Sequence, residues 1–275
     1  MRCLVVADLH YSLPQFDWLV RAAPLFDLVV FAGDALDVGS IVDFRAQIVV
    51  VQKYLAMLAS STRVVLCSGN HDLDERSPEG EKIARWVAEA RSLGIACDGD
   101  SFTIGDTRFT VCPWWDGPVV RAKLERQLED AAADRERRWI WIHHAPPANS
   151  PTSWGGSRHF GDKEVEQWIR GYQPHIVLSG HVHQSPFVRD GSWFDRIGET
   201  WIFNAGHQYG RPPAHIVLDI DAGKAFWLSA AGEQFIDLDA SLQRPAAPIT
   251  ETPDWLISLG QVVDPIPEQR STAAG

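Results

Sequence analysis

The sequence predicts an α/β fold, built as one mixed sheet or as two sheets sandwiched between helices. Three observations lead there. Short apolar, β-branched runs recur along the chain, helical patterns separate the early ones, and the later runs follow one another with few helices between. Alternating strand and helix argues for parallel pairing, and the crowded later strands for antiparallel pairing.

In order, the runs "CLVVA" (3–7), "LVVFA" (28–32), "RVVLC" (63–67), "RFTVC" (108–112), "WIWI" (139–142) and "HIVLS" (175–179) read as buried strands. "TWIFNA" (200–205), "AHIVLDI" (214–220) and "AFWLSA" (225–230) follow. The last two form a predicted antiparallel hairpin with Gly223 in its turn. Helices are expected over Pro14–Ala23, started by proline, and over Ile41–Ser60, which is long and amphipathic. A third covers Glu79–Leu93, with Gly94 as its terminating glycine. Val119–Arg137 is charged and alanine-rich, and Asp162–Arg170 stops at Gly171. Past residue 238 the pattern fades. Residues 1–238 therefore read as one domain, and 239–275 as a proline-rich, partly disordered arm. The arm is expected to be extended, docked through Trp255, Leu256 and Leu259, with its last ten or so residues mobile.

Bulk properties restrict the function. With 275 residues, 45% hydrophobic and 22% charged, the chain can bury a full core. A net charge of −11 argues against a surface that tracks nucleic-acid backbones. The segment "RERR" (135–138) reads as the solvated end of a charged helix. Cys3, Cys67, Cys97 and Cys112 show no CxxC or disulfide spacing, which points to reduced thiols and a cytoplasmic setting. The start "MRCLVVADLH" does not read as a signal peptide, and no run approaches a membrane span.

Polar residues cluster just past the strands. They are Asp8 and His10 in "ADLH", Asp34 and Asp37 in "AGDALD", and Asn70, His71 and Asp72 in "SGNHD". His143 and His144 follow in "HHAPP", then His181 and His183 in "SGHVHQ". The carboxyl ends of parallel strands line the ligand crevice of open α/β sheets. Taken singly, a DxH or a GD after a strand reads more readily as a turn or cap, whereas two histidines two apart share a face. Together, Asp, His and Asn without thiolate suit hard or borderline ions: manganese, iron, zinc or nickel. They are too many for one tetrahedral ion and suit two ions sharing a carboxylate.

The order DxH, GDxxD, GNHD, a histidine after a strand, then GHxH resembles the calcineurin-like metallophosphoesterases over Asp8 to His183. The resemblance implies a four-layer α/β/β/α sandwich of two mixed sheets flanked by helices. It also implies two divalent or trivalent ions, manganese or iron before zinc or nickel. One ion would be held by Asp8, His10, Asp34 and His183, and the other by Asp34, Asn70, His143 and His181, with Asp34 bridging. His71 would protonate the leaving oxygen, and Asp37 would orient His71. Adjacent residues on a strand face opposite ways, so only one of His143 and His144 aims at the ions. Both fit the spacing to the following prolines, and His143, nearer the strand end, is the expected ligand.

The implied reaction is in-line attack on a small phosphodiester, a cyclic nucleotide among the candidates, by a hydroxide bridging the ions. Phosphomonoester hydrolysis, nuclease action and a non-catalytic scaffold are the alternatives. Filled ligand positions argue against the scaffold. Relatives often carry an "NPGS"-like segment where this chain has "NAGHQYG", which puts His207 in the serine's place as a substrate contact beside Asn70 and His71. The loop 145–162 carries Trp154, Arg158, His159 and Phe160, with Arg158 expected to grip phosphate. Of Trp114 and Trp115, at least one is expected in the core. The expected partner is the substrate alone, with neither membrane nor nucleic acid, and a homo-oligomer is compatible with this.

Overall fold

A computed structural model describes residues 1–133 and 138–262. The chain begins with β1 (Arg2–Val6), α1 (Leu13–Ala22), β2 (Leu28–Ala32), α2 (Phe44–Ala59) and β3 (Arg63–Cys67). A small pair, β4 (Glu75–Arg76) and β5 (Lys82–Ile83), precedes α3 (Arg85–Glu89), β6 (Ala96–Cys97), β7 (Ser101–Ile104) and β8 (Thr107–Val111). Then come α4 (Pro118–Ala132), β9 (Arg138–Ile142), α5 (Lys163–Tyr172), β10 (Ile176–Ser179), β11 (Phe194–Ile197) and β12 (Thr200–Asn204). The rest is β13 (His215–Asp219), β14 (Lys224–Ser229), β15 (Gly232–Asp237), β16 (Ala247–Pro248) and α6 (Asp254–Gly260).

Two large mixed sheets result. One has eight strands in the order β16-β15-β14-β13-β1-β2-β3-β6, and the other has six in the order β11-β12-β10-β9-β8-β7. Strands β1, β2, β3 and β6 run parallel, as do β8, β9, β10 and β12. The β13–β14 hairpin is antiparallel, and Gly223 takes a positive φ of 62° in its turn. Strand alternation divides the core into three slabs. Val5, Val30, Val65, Ile140, Ile142 and Leu178 meet between the sheets. Leu4, Val29 and Phe31 face the other way, onto Phe16 of α1, Leu55 of α2 and Leu256 of α6. Trp139 and Trp141 face α4 and α5 through Leu124, Leu128 and Ile169. The layers are helix, sheet, sheet, helix.

Several expectations change. Residues 79–93 are not one helix: β5 occupies 82–83, and α3 begins only at Arg85. Glu81 is used elsewhere, its carboxylate accepting the backbone N–H groups of Val119 and Val120 at the start of α4. Helix α2 starts at Phe44 rather than Ile41, because Asp43 caps it by accepting from Arg45 and Ala46. Helix α5 runs past Gly171 to Tyr172 and closes at Gln173, which is left-handed at φ 51°. The arm beyond Asp239 packs Leu256 and Leu259 on the body from a helix, α6, and adds β16, which pairs with β15. Trp255 sets its ring edge-on to Phe226 at 5.2 Å. The last ten residues and most of "RERR" lie outside the described residues. The four cysteines are buried and free.

Candidate metal centre

The parallel strands release their chains at one edge, and hydrogen bonding continues past the strand ends. Asp8 N donates to Gly33 O at 3.0 Å, His10 N to Asp34 O at 3.1 Å, and Tyr11 N to Ala35 O at 2.9 Å. This lacing holds an uncommon backbone. Asp8, His10, Asp34 and His181 all have positive φ, between 43° and 69°. Such conformations are costly for residues with a Cβ and collect at functional sites. Close packing needs glycine beside them. A Cβ on Gly69 would lie 2.1 Å from Asp34 Oδ1, one on Gly180 2.5 Å from Asp8 Oδ2, and one on Gly33 2.3 Å from His144 Nδ1.

The side chains converge. His10 Nε2 and His183 Nε2 are 3.0 Å apart, and His183 Nε2 lies 3.2 Å from Asp8 Oδ1. His10 Nε2 is 3.9 Å from Asp34 Oδ2, while His144 Nε2 approaches the same oxygen at 3.0 Å and Asp8 Oδ1 at 3.8 Å. His181 Nδ1 meets Asn70 Oδ1 at 2.9 Å. Ligand atoms of Asp8, His10 and His183 form one group, and those of Asp34, His144 and His181 another. His10 and Asp34 form a third with His71. Asp34 thus faces both halves of the site.

His144 tests whether cations fit. Its Nδ1 sits 2.7 Å from Ala32 O, so Nδ1–H donates there and, in the neutral ring that a cation requires, Nε2 carries the lone pair. That lone pair points at two carboxylates and finds no hydrogen-bond partner. The arrangement is repulsive unless positive charge lies between, as ligands of a shared ion require.

The sequence profile of the calcineurin-like phosphoesterases matches residues 1–185. The chain belongs to this family. It is a metal-dependent phosphohydrolase of mixed α/β architecture. Among solved structures, a dimetal phosphatase from Danio rerio superposes with a TM-score of 0.55 at 12% identity, covering 87% of this chain and 99% of that one. The Thermus thermophilus protein TT1561 gives 0.53 at 13% identity, covering 86% and 98%. A purple acid phosphatase from yellow lupin gives 0.52 at 14% identity, covering 88% of this chain and 52% of that one. These likenesses are of fold. A comparison with curated proteins gives no match.

The electrostatics of this phosphoesterase's site match its donor set. Burial opposes a proton on His144, but Asp34 and Asp8 outweigh it and push the ring up to about 9. The position attracts positive charge. Burial raises the Asp8 carboxyl, yet His183, His144 and His10 hold it well below the usual range. His10 and His181 are lowered to about 4, chiefly by burial, and so present neutral nitrogens.

The expected ligand His143 is corrected by the geometry. Its backbone N–H extends the β9–β10 pairing by donating to Leu178 O at 3.0 Å, so the strand alternation still applies. The side chain shares the outer face with Trp139 and Trp141: Nδ1 lies 3.2 Å from Cys112 O, and Trp115 stacks on the ring at 4.9 Å. His144 takes the inner face and reaches the cluster. Asp37 lies beside His71, in ion-pair range but beyond hydrogen-bond distance. Its Oδ1 is 3.7 Å from His71 Nδ1 and accepts from Gly39 N instead, while Val38 N donates to His71 Nδ1 at 3.3 Å. Arg158 is not brought to the cluster by any contact described; its guanidinium covers the Phe160 ring at 4.5 Å. His207 is brought there, with Nδ1 2.6 Å from Asp8 O and its ring 4.9 Å from that of His183.

Two further residues shape the site, and neither Trp114 nor Trp115 is fully buried in the core. Buried Asp72 accepts from Asp34 N, Leu36 N and Gly69 N and so clamps two of the ligand loops; burial, with Asp34 nearby, lifts it to about 8. Its place as the last residue of "GNHD" was the available signal. Trp114, half-buried, walls the site with its ring 5.2 Å from His181 and 5.7 Å from His144.

Proposed function

We propose that the protein hydrolyses a small phosphodiester, with cyclic nucleotides among the candidates, at this cluster. One observation carries the reading: nitrogens and carboxylate oxygens from both sheets face one another at 3.0–3.9 Å, with His71 alongside. Asp8, His10, Asp34 and His183 would hold one cation, and Asp34, Asn70, His144 and His181 a second. Two ions bound there would activate water and take up charge on the phosphoryl group. Manganese or iron suits the nitrogen and oxygen donors.

The chain's own groups supply the rest. Asp37 Oδ1 lies 3.7 Å from His71 Nδ1 and faces a protonated ring there. An alkoxide leaves poorly; a protonated His71 would give it the Nε2 proton as the P–O bond breaks and be left as neutral imidazole. The Asn70 amide nitrogen can donate to a phosphoryl oxygen, since its Oδ1 is turned to His181. His207, which donates Nδ1–H to Asp8 O, keeps Nε2 as an acceptor for a substrate hydroxyl.

Charge favours a diester. Among the described residues, the ion-pair partners of Asp8, Asp34 and Asp37 are all histidines. A site without lysine or arginine against its carboxylates suits a monoanion better than the dianion of a monoester. Trp114 offers a flat face for a base.

The test compares bis-p-nitrophenyl phosphate, p-nitrophenyl phosphate and 2′,3′-cyclic AMP on manganese-loaded protein. The diesters are expected to show kcat/KM at least about tenfold above the monoester. A preference for the monoester reverses the substrate assignment. Two bound ions with no hydrolysis of any of the three would sink the enzymatic reading.

A further inference from the structure

The loop after β2 keeps three aliphatic side chains in solvent. Val38 is 62% exposed, Ile41 fully so, and Val42 37%. Single exposed aliphatics are common on protein surfaces, but three within the span 38–42 make a patch that calls for an occupant. The loop is fastened in this shape. Buried Gln47, in the first turn of α2, accepts from Asp37 N at Oε1 and donates from Nε2 to Asp37 O and Val42 O, so it ties both ends. Between them, Gly39 N donates to Asp37 Oδ1, Ser40 N to Asp37 O and Val42 N to Ser40 Oγ. The polar groups are thus turned on one another, and the aliphatic side chains are left to the solvent.

The place of the patch gives its occupant. Val38 N lies 3.3 Å from His71 Nδ1, so the loop starts against the ring assigned to protonate the leaving oxygen. That ring can be reached, with its side chain 26% exposed. The oxygen that takes the His71 proton is the one whose bond to phosphorus breaks. The group it carries therefore lies on the His71 side of the cluster. There it meets Val38, with Ile41 and Val42 farther along the same loop. Residues 38–42 carry no charge, and their one hydroxyl, on Ser40, already accepts from Val42 N. Such a surface matches an apolar group better than a sugar.

We propose that residues 38–42 form a leaving-group subsite, and that the substrate is a phosphodiester whose leaving alcohol is apolar, aryl or branched alkyl. The inference rests on the phosphodiesterase reading and narrows it. Val38, Ile41 and Val42 act by taking apolar area of the leaving group out of water.

The experiment compares methyl phenyl phosphate with methyl 4-tert-butylphenyl phosphate on manganese-loaded full chain. The two phenols are nearly equal in acidity, so the esters differ in the apolar bulk of the leaving group and not in how readily it leaves. Wild type is expected to hydrolyse the tert-butyl ester with kcat/KM about fivefold higher, chiefly through KM. The double variant Val38→Ser, Ile41→Ser is expected to bring that ratio to about one; a loop with a purely structural role would lower both rates alike and keep the ratio. A second readout needs no turnover. In metal-free protein, millimolar 4-tert-butylphenol is expected to shift the ¹³C methyl resonances of Val38 and Ile41. Equal rates on the two esters in wild type, a preference that survives in the double variant, or unmoved methyl resonances would each overturn the proposal. No hydrolysis of either ester counts against the metal centre instead, and the methyl shifts then decide for or against the subsite.

Discussion

Replacing His144 by alanine removes the imidazole whose Nε2 faces Asp34 and Asp8. The variant is expected to lose one ion per chain by elemental analysis and about 10²-fold or more in rate. His143→Ala is expected to keep both ions and lose about 1–3 kcal/mol of stability by denaturant melting, through its stack on Trp115 and its bond to Cys112 O. The opposite pattern would restore His143 as ligand. The sequence contained this answer. Trp139 and Trp141 mark one face of the strand and Ile140 and Ile142 the other, and continuing that alternation carries His144 inward. Nearness to the strand end was the weaker guide, because the pairing runs on through His143. His71→Ala is expected to retain the ions while slowing hydrolysis about 10²–10⁴-fold, most for alkyl leaving groups; equal slowing for all leaving groups would remove its role as acid. His215 and His143 set an acid limit. Burial lowers them to about 4 and about 3, against an unfolded value near 6.5. The stability this represents is full above pH ~6.5 and is lost as pH falls through the folded values. The urea midpoint of metal-free protein should drop from pH ~6.5 towards 4, and His215→Phe should flatten that drop; an unchanged slope would refute it.

At the scale of elements, the loops after β2, β3 and β10 depend on glycines that let carboxylates and rings approach the backbone. Gly33 has φ 93°, and a Cβ there would strike His144. Gly33→Ala is expected to cost at least about 2 kcal/mol and to weaken metal binding; wild-type metal content and melting would show that the loop can yield. The strands that carry the site were legible because they are buried on both faces and read as continuous apolar runs. Among the strands missed, β11 and β15 are diluted by polar residues: "FDRI" mixes charges into the end strand of its sheet, and "GEQFID" is half-exposed. Helical spacing over 79–93 misled because Glu81 serves the start of α4, a contact distant in sequence.

At the scale of the molecule, the candidate ligands come from both sheets: Asp8, His10, Asp34 and Asn70 follow β1, β2 and β3, whereas His144, His181 and His183 follow β9 and β10. Ions held there join the two sheets, so binding should stabilise the whole fold. Each ion at about 100 times its Kd adds about 2.7 kcal/mol. Manganese is expected to raise the Tm by about 5–10 °C and EDTA to reverse it; a Tm indifferent to metal would mean that the ions do not bridge the sheets. The order of layers and the ligand types were readable in advance, but the joining was not, because it depends on which strand lies against which. The register of β1 has a consequence for biosynthesis. Its partners are β2 on one side and β13 on the other, with Arg2 opposite Asp219. On the ribosome, β1 waits with one edge open until residue 219 emerges, and ion capture waits for His183. Chaperone occupancy should therefore concentrate on nascent chains shorter than this, where an apolar strand edge is still unpaired.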